Sequence, residues 1–394
     1  MFHILEIKFY FYIVRLLVSM IGMTEIVICG YARSAFTPAK KGQLCKTRPD
    51  DLAAKVIKGL IEKNKINSED VEDLILGCAF PEAEQGMNLA RNVVFLSGLP
   101  NSVGGVTVNR FCASSMQAIH QAAGAINSGS GDLFIAGGVE SMSRVPMPGF
   151  NPMLNPSLVD MDAYIGMGHT AENLAEKHSI SREKQEQMAL ESHQKASKAK
   201  AEGKFKDEII VVDDVSEDGC VRPETTLESM ANLKPAFNKD GTVTAGTSSP
   251  LTDGAAAVIV CSKEYAVSNN LTIMAYVRGM AISGCNPEIM GIGPVLSSQK
   301  ALKRAGLELK DIDIIEMNEA FAAQSLACID KLGIDTSKLN MHGGAIAMGH
   351  PLGASGARIT GKAAALLQNS DAKYALSTMC VGGGQGCATV LERG

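Results

Sequence analysis

The stretch Val108-Asn109-Arg110-Phe111-Cys112-Ala113-Ser114-Ser115 decides how the chain is read. Before it stands a short apolar run, Gly105-Val106-Thr107-Val108, with the character of a buried strand. After it, Met116, Ile119, Ala123 and Ile126 recur at helical spacing. Cys112 therefore falls in a strand-to-helix turn, at or next to a helix N-terminus. Free backbone N–H groups and the positive end of the helix dipole favour a thiolate there, and the thiolate is the nucleophilic form of cysteine. The stretch by itself also suits a small buried core cysteine. What separates the two readings is a partner for the sulfur elsewhere in the chain.

Working outward, segments 51–64 and 88–97 carry helical patterns. Asp70-Val71-Glu72-Asp73-Leu74-Ile75-Leu76-Gly77 and Asp132-Leu133-Phe134-Ile135-Ala136-Gly137-Gly138 read as strands ending in glycines. The pattern recurs 241 positions later: Asp70-Val71-Glu72-Asp73-Leu74 faces Asp311-Ile312-Asp313-Ile314-Ile315, and Ala79-Phe80 faces Ala320-Phe321. The helix after Cys112 faces one beginning near Gly353-Ala354-Ser355, and the strand from Leu133 faces one from Tyr374. One offset shared by three elements marks an internal duplication. Each copy alternates strands and helices, so each is expected to be an α/β unit with a mainly parallel sheet. Residues 143–268 are left as an insertion in the first copy. It opens with a Met- and Pro-rich stretch, continues with a polar helix over 181–202 capped by Ser181, and closes with the small, hydroxyl-rich run Thr247-Ser248-Ser249-Pro250-Leu251-Thr252. The expected organisation is an extension over 1–22, a first half over 23–272 and a second half over 273–394.

The 394 residues contain no Trp and carry a net charge of −5, which excludes a general nucleic-acid-binding surface. The ten cysteines form no CxxC pair and no zinc spacing, so free thiols in a reducing, cytoplasmic setting are expected and no metal site. Residues 1–22 are apolar and aromatic, but Glu6, Lys8 and Arg15 interrupt them. The uncharged run after Arg15 falls short of the ~20 residues a membrane span needs, and no small-residue cleavage site follows. They are read as an extension outside a fold that begins near Met23, with organelle targeting as the alternative.

Three further clusters lie in the second half. Asn318-Glu319-Ala320-Phe321 ends a strand. His342-Gly343-Gly344-Ala345-Ile346-Ala347-Met348-Gly349-His350-Pro351-Leu352-Gly353 is a glycine-rich loop entering a helix, and Met379-Cys380-Val381-Gly382-Gly383-Gly384 is a glycine-rich turn. His350 stands three positions before the residue equivalent to Cys112. An approximate two-fold axis between the halves would bring the two helix N-termini, and hence Cys112 and His350, together. A Cys–His pair is an activated nucleophile. Cys380 adds a second thiol for acid–base work, with glycine N–H groups around it to hold an oxyanion.

From about Met23 to the C-terminus the chain resembles the thiolase family. The resemblance rests on Asn109-Arg110-Phe111-Cys112, Gly137-Gly138-Val139-Glu140-Ser141-Met142-Ser143, Asn318-Glu319-Ala320-Phe321, the Gly343–Gly353 loop and Cys380-Val381-Gly382-Gly383-Gly384, in family order. It implies duplicated α/β halves layered αβαβα, with an inserted loop domain. It implies that Cys112 takes the acyl group as a thioester, that His350 deprotonates it, and that Cys380 shuttles a proton. It further implies two oxyanion holes, one from His350 with a water held by Asn318, the other from the N–H groups of Cys112 and Gly382. Ser249 matches a serine that contacts the CoA pantetheine, and Arg222 a basic residue near the CoA adenine. CoA and acyl-CoA are then substrates and no resident cofactor is needed. Family members are homodimers or homotetramers.

The activity so implied is cleavage of 3-ketoacyl-CoA by CoA, with ping-pong kinetics. The related alternative is an acetoacetyl-CoA thiolase condensing two acetyl-CoA, and an alternative of another class is a non-catalytic acyl-CoA or lipid carrier of the same fold. Two departures stand out: His342 occupies a place where many relatives carry Asn, and Gly166 one where acetoacetyl-specialised members place His. The second leans toward the degradative type.

Overall fold

The computed structural model describes residues 24–394, so the expected extension over 1–22 lies outside the described residues. The first half contains β1 (Ile26–Ser34), α1 (Pro49–Asn64), β2 (Asp73–Gly77), α2 (Leu89–Ser97), β3 (Gly104–Val108), α3 (Ser114–Asn127) and β4 (Leu133–Ser141). After the intervening segment, with α4 (Met167–Lys177) and α5 (Arg182–Ala201), comes β5 (Thr252–Ser262). The second half contains β6 (Ala275–Gly284), α6 (Gly293–Ala305), β7 (Ile314–Met317), α7 (Ala322–Leu332), α8 (Leu352–Gln368), β8 (Tyr374–Val381) and β9 (Gln385–Arg393).

The strands run in the order β3-β2-β4-β5-β1-β6-β9-β8-β7. β1 and β6 meet at only Val27↔Tyr276 and Ile28↔Ala275, so this seam divides the array into one sheet for each half. Between the sheets lie α3 and α8: Ile119 and Ala122 of one, with Ala363 and Leu367 of the other, pack among Ile75, Val258, Ala375 and Leu391. The outer faces are covered by α1 and α2 on the first sheet and by α6 and α7 on the second. This is the αβαβα layering. Both faces of each sheet are buried, so Leu74 and Leu76 point to the outer layer while Ile75 points to the central one. The strands accordingly read as continuous apolar runs rather than alternating ones.

The duplication extends beyond the elements that revealed it. α1 ends at Asn64 and α6 at Ala305, α3 ends at Asn127 and α8 at Gln368, each pair separated by the same 241 positions. Two expectations are corrected. The sheets are mixed rather than mainly parallel: β3-β2-β4 and β8-β7 are parallel, while β4-β5-β1 and β6-β9-β8 are antiparallel. β8 and β9 are joined by three residues, Gly382-Gly383-Gly384, and so short a connection can only return the chain antiparallel. The insertion also does not reach 268, because β5 is a central strand between β4 and β1.

Inside the intervening segment α5 starts as expected, with Ser181 Oγ accepting from Lys184 N–H. The segment is tied down by buried ions. Arg33 of β1 forks onto Asp218 and also meets Glu208, whose other oxygen takes Lys362 of α8 at 2.8 Å.

Candidate active site

Glycines let the central helices reach the strand ends. A Cβ at Gly77 would lie 2.4 Å from Ser115 N, and one at Gly138 only 2.0 Å from Gly353 O. The two helices meet through Gly356, whose added Cβ would fall 2.3 Å from Met116 N, and through Ala357 N–H donating to Ser115 Oγ at 2.8 Å. The N-termini of α3 and α8 thus face one another at the seam, as the repeat required.

Cys112 sits in a 3₁₀ turn, Phe111–Ala113, that feeds straight into α3. Phe111 has φ +42°, a left-handed backbone that costs a non-glycine residue ~1 kcal/mol or more and places strain next to the sulfur. The turn is held by Asn109 Oδ1, which accepts Phe111 N–H at 2.8 Å, and by Ser114 Oγ, which donates to Phe111 O at 2.7 Å.

His350 follows Gly349, whose φ of +99° and contact with Thr252 admit no side chain. Its backbone N–H donates to Thr252 Oγ1 at 3.0 Å. Its Nδ1 lies 2.6 Å from Ser355 Oγ, and that hydroxyl gives its single proton to Pro351 O at 3.0 Å. With the proton placed on Pro351 O, Ser355 accepts at Nδ1, and this assignment leaves Nε2 with its lone pair. Asn318 Nδ2 stands 3.3 Å from Nε2. Asn318 is in turn pinned by its N–H to Thr378 O, and Asn340 holds the neighbouring Met317 through both its amide atoms.

Cys112, His350 and Ser249 line one cavity of about 320 Å³, with Met142, Met167, Met290 and Phe321 among its apolar walls. Ser249 is brought there by its N–H bond to Ala320 O at 3.0 Å. The Gly382 N–H points at the Cys112 sulfur. Cys380 lies on β8 two residues before Gly382, fully buried and close enough for the charges of the two sulfurs to interact. Arg222 is placed differently. It is exposed, its N–H is bonded to His193 Nδ1 at 3.2 Å, and it is not part of the cavity wall.

The thiolate expected of Cys112 is not its resting form. Burial pushes the thiol up to about 11, against the opposing pull of the Gly382 N–H and of its own N–H. Burial likewise lowers His350 to about 3, with a smaller contribution from Arg358. Cys380 is raised well above the ordinary thiol range, first by burial and then by the charge of Cys112. The apolar enclosure outweighs the helix N-terminus, so the site rests as neutral thiols beside a neutral imidazole. Charge appears only when a proton moves.

Two buried groups at the centre were not singled out from the sequence. Ser355 stands in the sequence only as part of Gly353-Ala354-Ser355 at the start of the second helix, 241 positions after Ser114. Glu140 lies within the quoted glycine-rich motif, and its carboxylate gathers N–H groups from three separate segments.

The duplicated α/β fold and the Cys–His meeting at its seam define the class of protein. A family model described as Thiolase, N-terminal domain matches residues 26–264, and one described as Thiolase, C-terminal domain matches 271–393. The chain belongs to the thiolase family. It is 47% identical over 388 residues to a 3-ketoacyl-CoA thiolase of Vibrio vulnificus and 46% identical over 389 residues to one of Bacillus subtilis. Each alignment covers 94% of this chain and 100% of the relative. Among solved structures, human mitochondrial 3-ketoacyl-CoA thiolase in complex with CoA superposes with a TM-score of 0.87 at 39% identity, covering 94% of this chain and 98% of that one.

Proposed function

We propose that this chain is an acyltransferase that cleaves 3-ketoacyl-CoA with CoA, giving acetyl-CoA and a shortened acyl-CoA, as in fatty-acid β-oxidation. The observation that carries the mechanism is the meeting of Cys112 and His350, from opposite halves, in one apolar cavity next to Asn318 and Cys380.

His350 Nε2 takes the Cys112 proton as the sulfur attacks the 3-keto carbon. The resulting oxyanion is received by the N–H groups of Cys112 and Gly382. The bond between the α- and β-carbons breaks, leaving an acyl-Cys112 thioester and the enolate of acetyl-CoA. His350 and a water on Asn318 hold the enolate oxygen, and Cys380 gives its proton to the α-carbon. CoA then enters and passes its thiol proton to Cys380. Its sulfur attacks the acyl-enzyme, and His350 returns the first proton to Cys112. Protons and bonds close over the cycle with no resident cofactor. Ser249 in the cavity wall is assigned to the pantetheine arm and Arg222, on the exposed inserted segment, to the adenine end.

Two further parts of the reading concern setting. β3 is an edge strand, and Met87, Phe95, Leu96 and Val106 on and beside it are exposed, which supports a homodimer or homotetramer. The ten cysteines are free, which supports a reducing, cytoplasmic compartment. Among the described residues no helix is long and apolar enough to cross a membrane. Rates of CoA-dependent thiolysis on C4 and C8 3-ketoacyl-CoA test the activity. Turnover of both is expected, and turnover of C4 alone would overturn the degradative assignment.

A further inference from the structure

Cys112 and His350 belong to different halves, so something must set their separation. A single hydrogen-bonded path does so. Gly353 N–H, at the start of α8 and three residues after His350, donates to Glu140 Oε2 at 2.9 Å. The same oxygen accepts Ala79 N–H at 2.8 Å. Ala79 O accepts Asn109 Nδ2 at 2.9 Å, and Asn109 Oδ1 accepts Phe111 N–H at 2.8 Å, one residue before Cys112. The other carboxylate oxygen takes Phe80 N–H at 3.2 Å and Gln85 Nε2 at 2.8 Å, with the Cys78 thiol at 3.7 Å. Glu140 is 1% exposed. Its backbone neighbours leave no slack, since Gly138 and Gly353 touch backbone to backbone.

We infer that Glu140 is a positioning residue for the reaction proposed above: its carboxylate registers the nucleophile's turn in the first half against the histidine-bearing helix of the second. A carboxylate suits the place because it accepts at both oxygens. An amide presents one donor edge, which would face either the Ala79 and Gly353 N–H groups or those of Phe80 and Gln85. A negative group at the N-terminus of α8 is also favoured by the helix dipole. Because Oε2 is shared between segments of different halves, losing it loosens the pairing rather than either half alone. Displacing reacting groups by about 1 Å costs up to ~100-fold in rate.

The test is carried out on the full chain, with iodoacetamide as probe and peptide mass spectrometry reading alkylation of Cys112 at neutral pH. Iodoacetamide reports the Cys112–His350 pairing whether or not acyl-CoA is a substrate. Absence of an acyl-enzyme with 3-ketoacyl-CoA would therefore defeat the functional reading separately. Glu140→Gln removes a charge that helps to raise the Cys112 thiol, which by itself would speed alkylation, and is nevertheless expected to slow it at least tenfold because the pairing with His350 is lost. Asn109→Ala, at an exposed position, breaks the same path and is expected to slow it similarly, so it decides the matter should Glu140→Gln not fold. Each is then combined with His350→Ala. A group acting through the histidine loses its effect once the histidine is gone, whereas a general loss of structure would slow the double variant further. Wild-type alkylation in a folded single variant, or a full additional slowing in the His350→Ala background, overturns the assignment.

Discussion

Ser355 Oγ lies 2.6 Å from His350 Nδ1 while handing its own proton to Pro351 O, so the imidazole is held with Nδ1 protonated and Nε2 free. Ser355→Ala removes that hold. The expected outcome is a kcat reduced about 10- to 100-fold with KM within a factor of two or three, because the base is misoriented while the CoA-binding surface is untouched. Unfolding stability should fall by ~1–3 kcal/mol, because the variant leaves the buried His350 Nδ1–H without its acceptor. Steady-state thiolysis with urea unfolding of the same preparation checks both parts. A kcat equal to wild type would show that Ser355 does not set the tautomer.

The neutral resting pair predicts how Cys112 responds to pH. Its thiol is pushed up to about 11 and His350 is held down at about 3, so the free enzyme contains no thiolate–imidazolium pair at neutral pH. Alkylation of Cys112 is expected to keep rising from pH 7 through pH 10. A plateau reached below pH 7, the mark of a preformed ion pair, would contradict this.

Acid stability follows from the buried histidines. His120 and His350 are lowered to about 3, and His193 and His342 to about 4, in each case chiefly by burial. A group whose pKa is depressed in the folded state takes up its proton first in the unfolded chain. Its contribution is complete above the unfolded value of ~6.5 and is lost as pH falls toward the folded value. The urea midpoint should therefore drop between pH 6.5 and 3.5. His342 faces Phe205 edge-on, and its Nδ1 is buried without a partner. His342→Asn should flatten that drop while leaving thiolysis at neutral pH unchanged. An identical pH slope in the variant would contradict the assignment.

The glycine contacts give a packing prediction. A methyl at Gly138 would meet a backbone oxygen at 2.0 Å, where no side chain can turn aside. Gly138→Ala should cost at least the ~1–3 kcal/mol typical of overpacking and should separate the strand end from α8. Gly124 has open space around its added Cβ and lies within α3, so Gly124→Ala is the control and should stabilise slightly. Urea midpoints in the same buffer compare them.

What was legible in the sequence depended on repetition and local pattern. The offset of 241 placed α8 opposite α3 and hence His350 opposite Cys112, and Ser181 marked the start of α5. β5 falls within the expected insertion because its counterpart in the second half, β9, does not lie 241 positions after it, so the shared offset does not reach Thr252–Ser262. The thiolate expectation failed because a helix N-terminus can be read from a motif, whereas the depth of burial around Cys112 cannot. Glu140 acts through a contact that crosses the seam, 213 positions from Gly353, and no local spacing announces it. Ser355 is only five residues from His350, but which of its neighbours the hydroxyl meets is set by the turn that enters α8 and not by spacing.

The central claim is that one cysteine from the first half is activated by one histidine from the second. Its most direct measurement is the mass of the protein after mixing with a 3-ketoacyl-CoA in the absence of free CoA. Wild type should gain one acyl group on the peptide containing Cys112 and lose it when CoA is added. Cys112→Ser should gain none, and His350→Ala should acylate at least ~100-fold more slowly with its fold intact. An adduct that survives Cys112→Ser, or near-normal acylation in His350→Ala, would contradict the account.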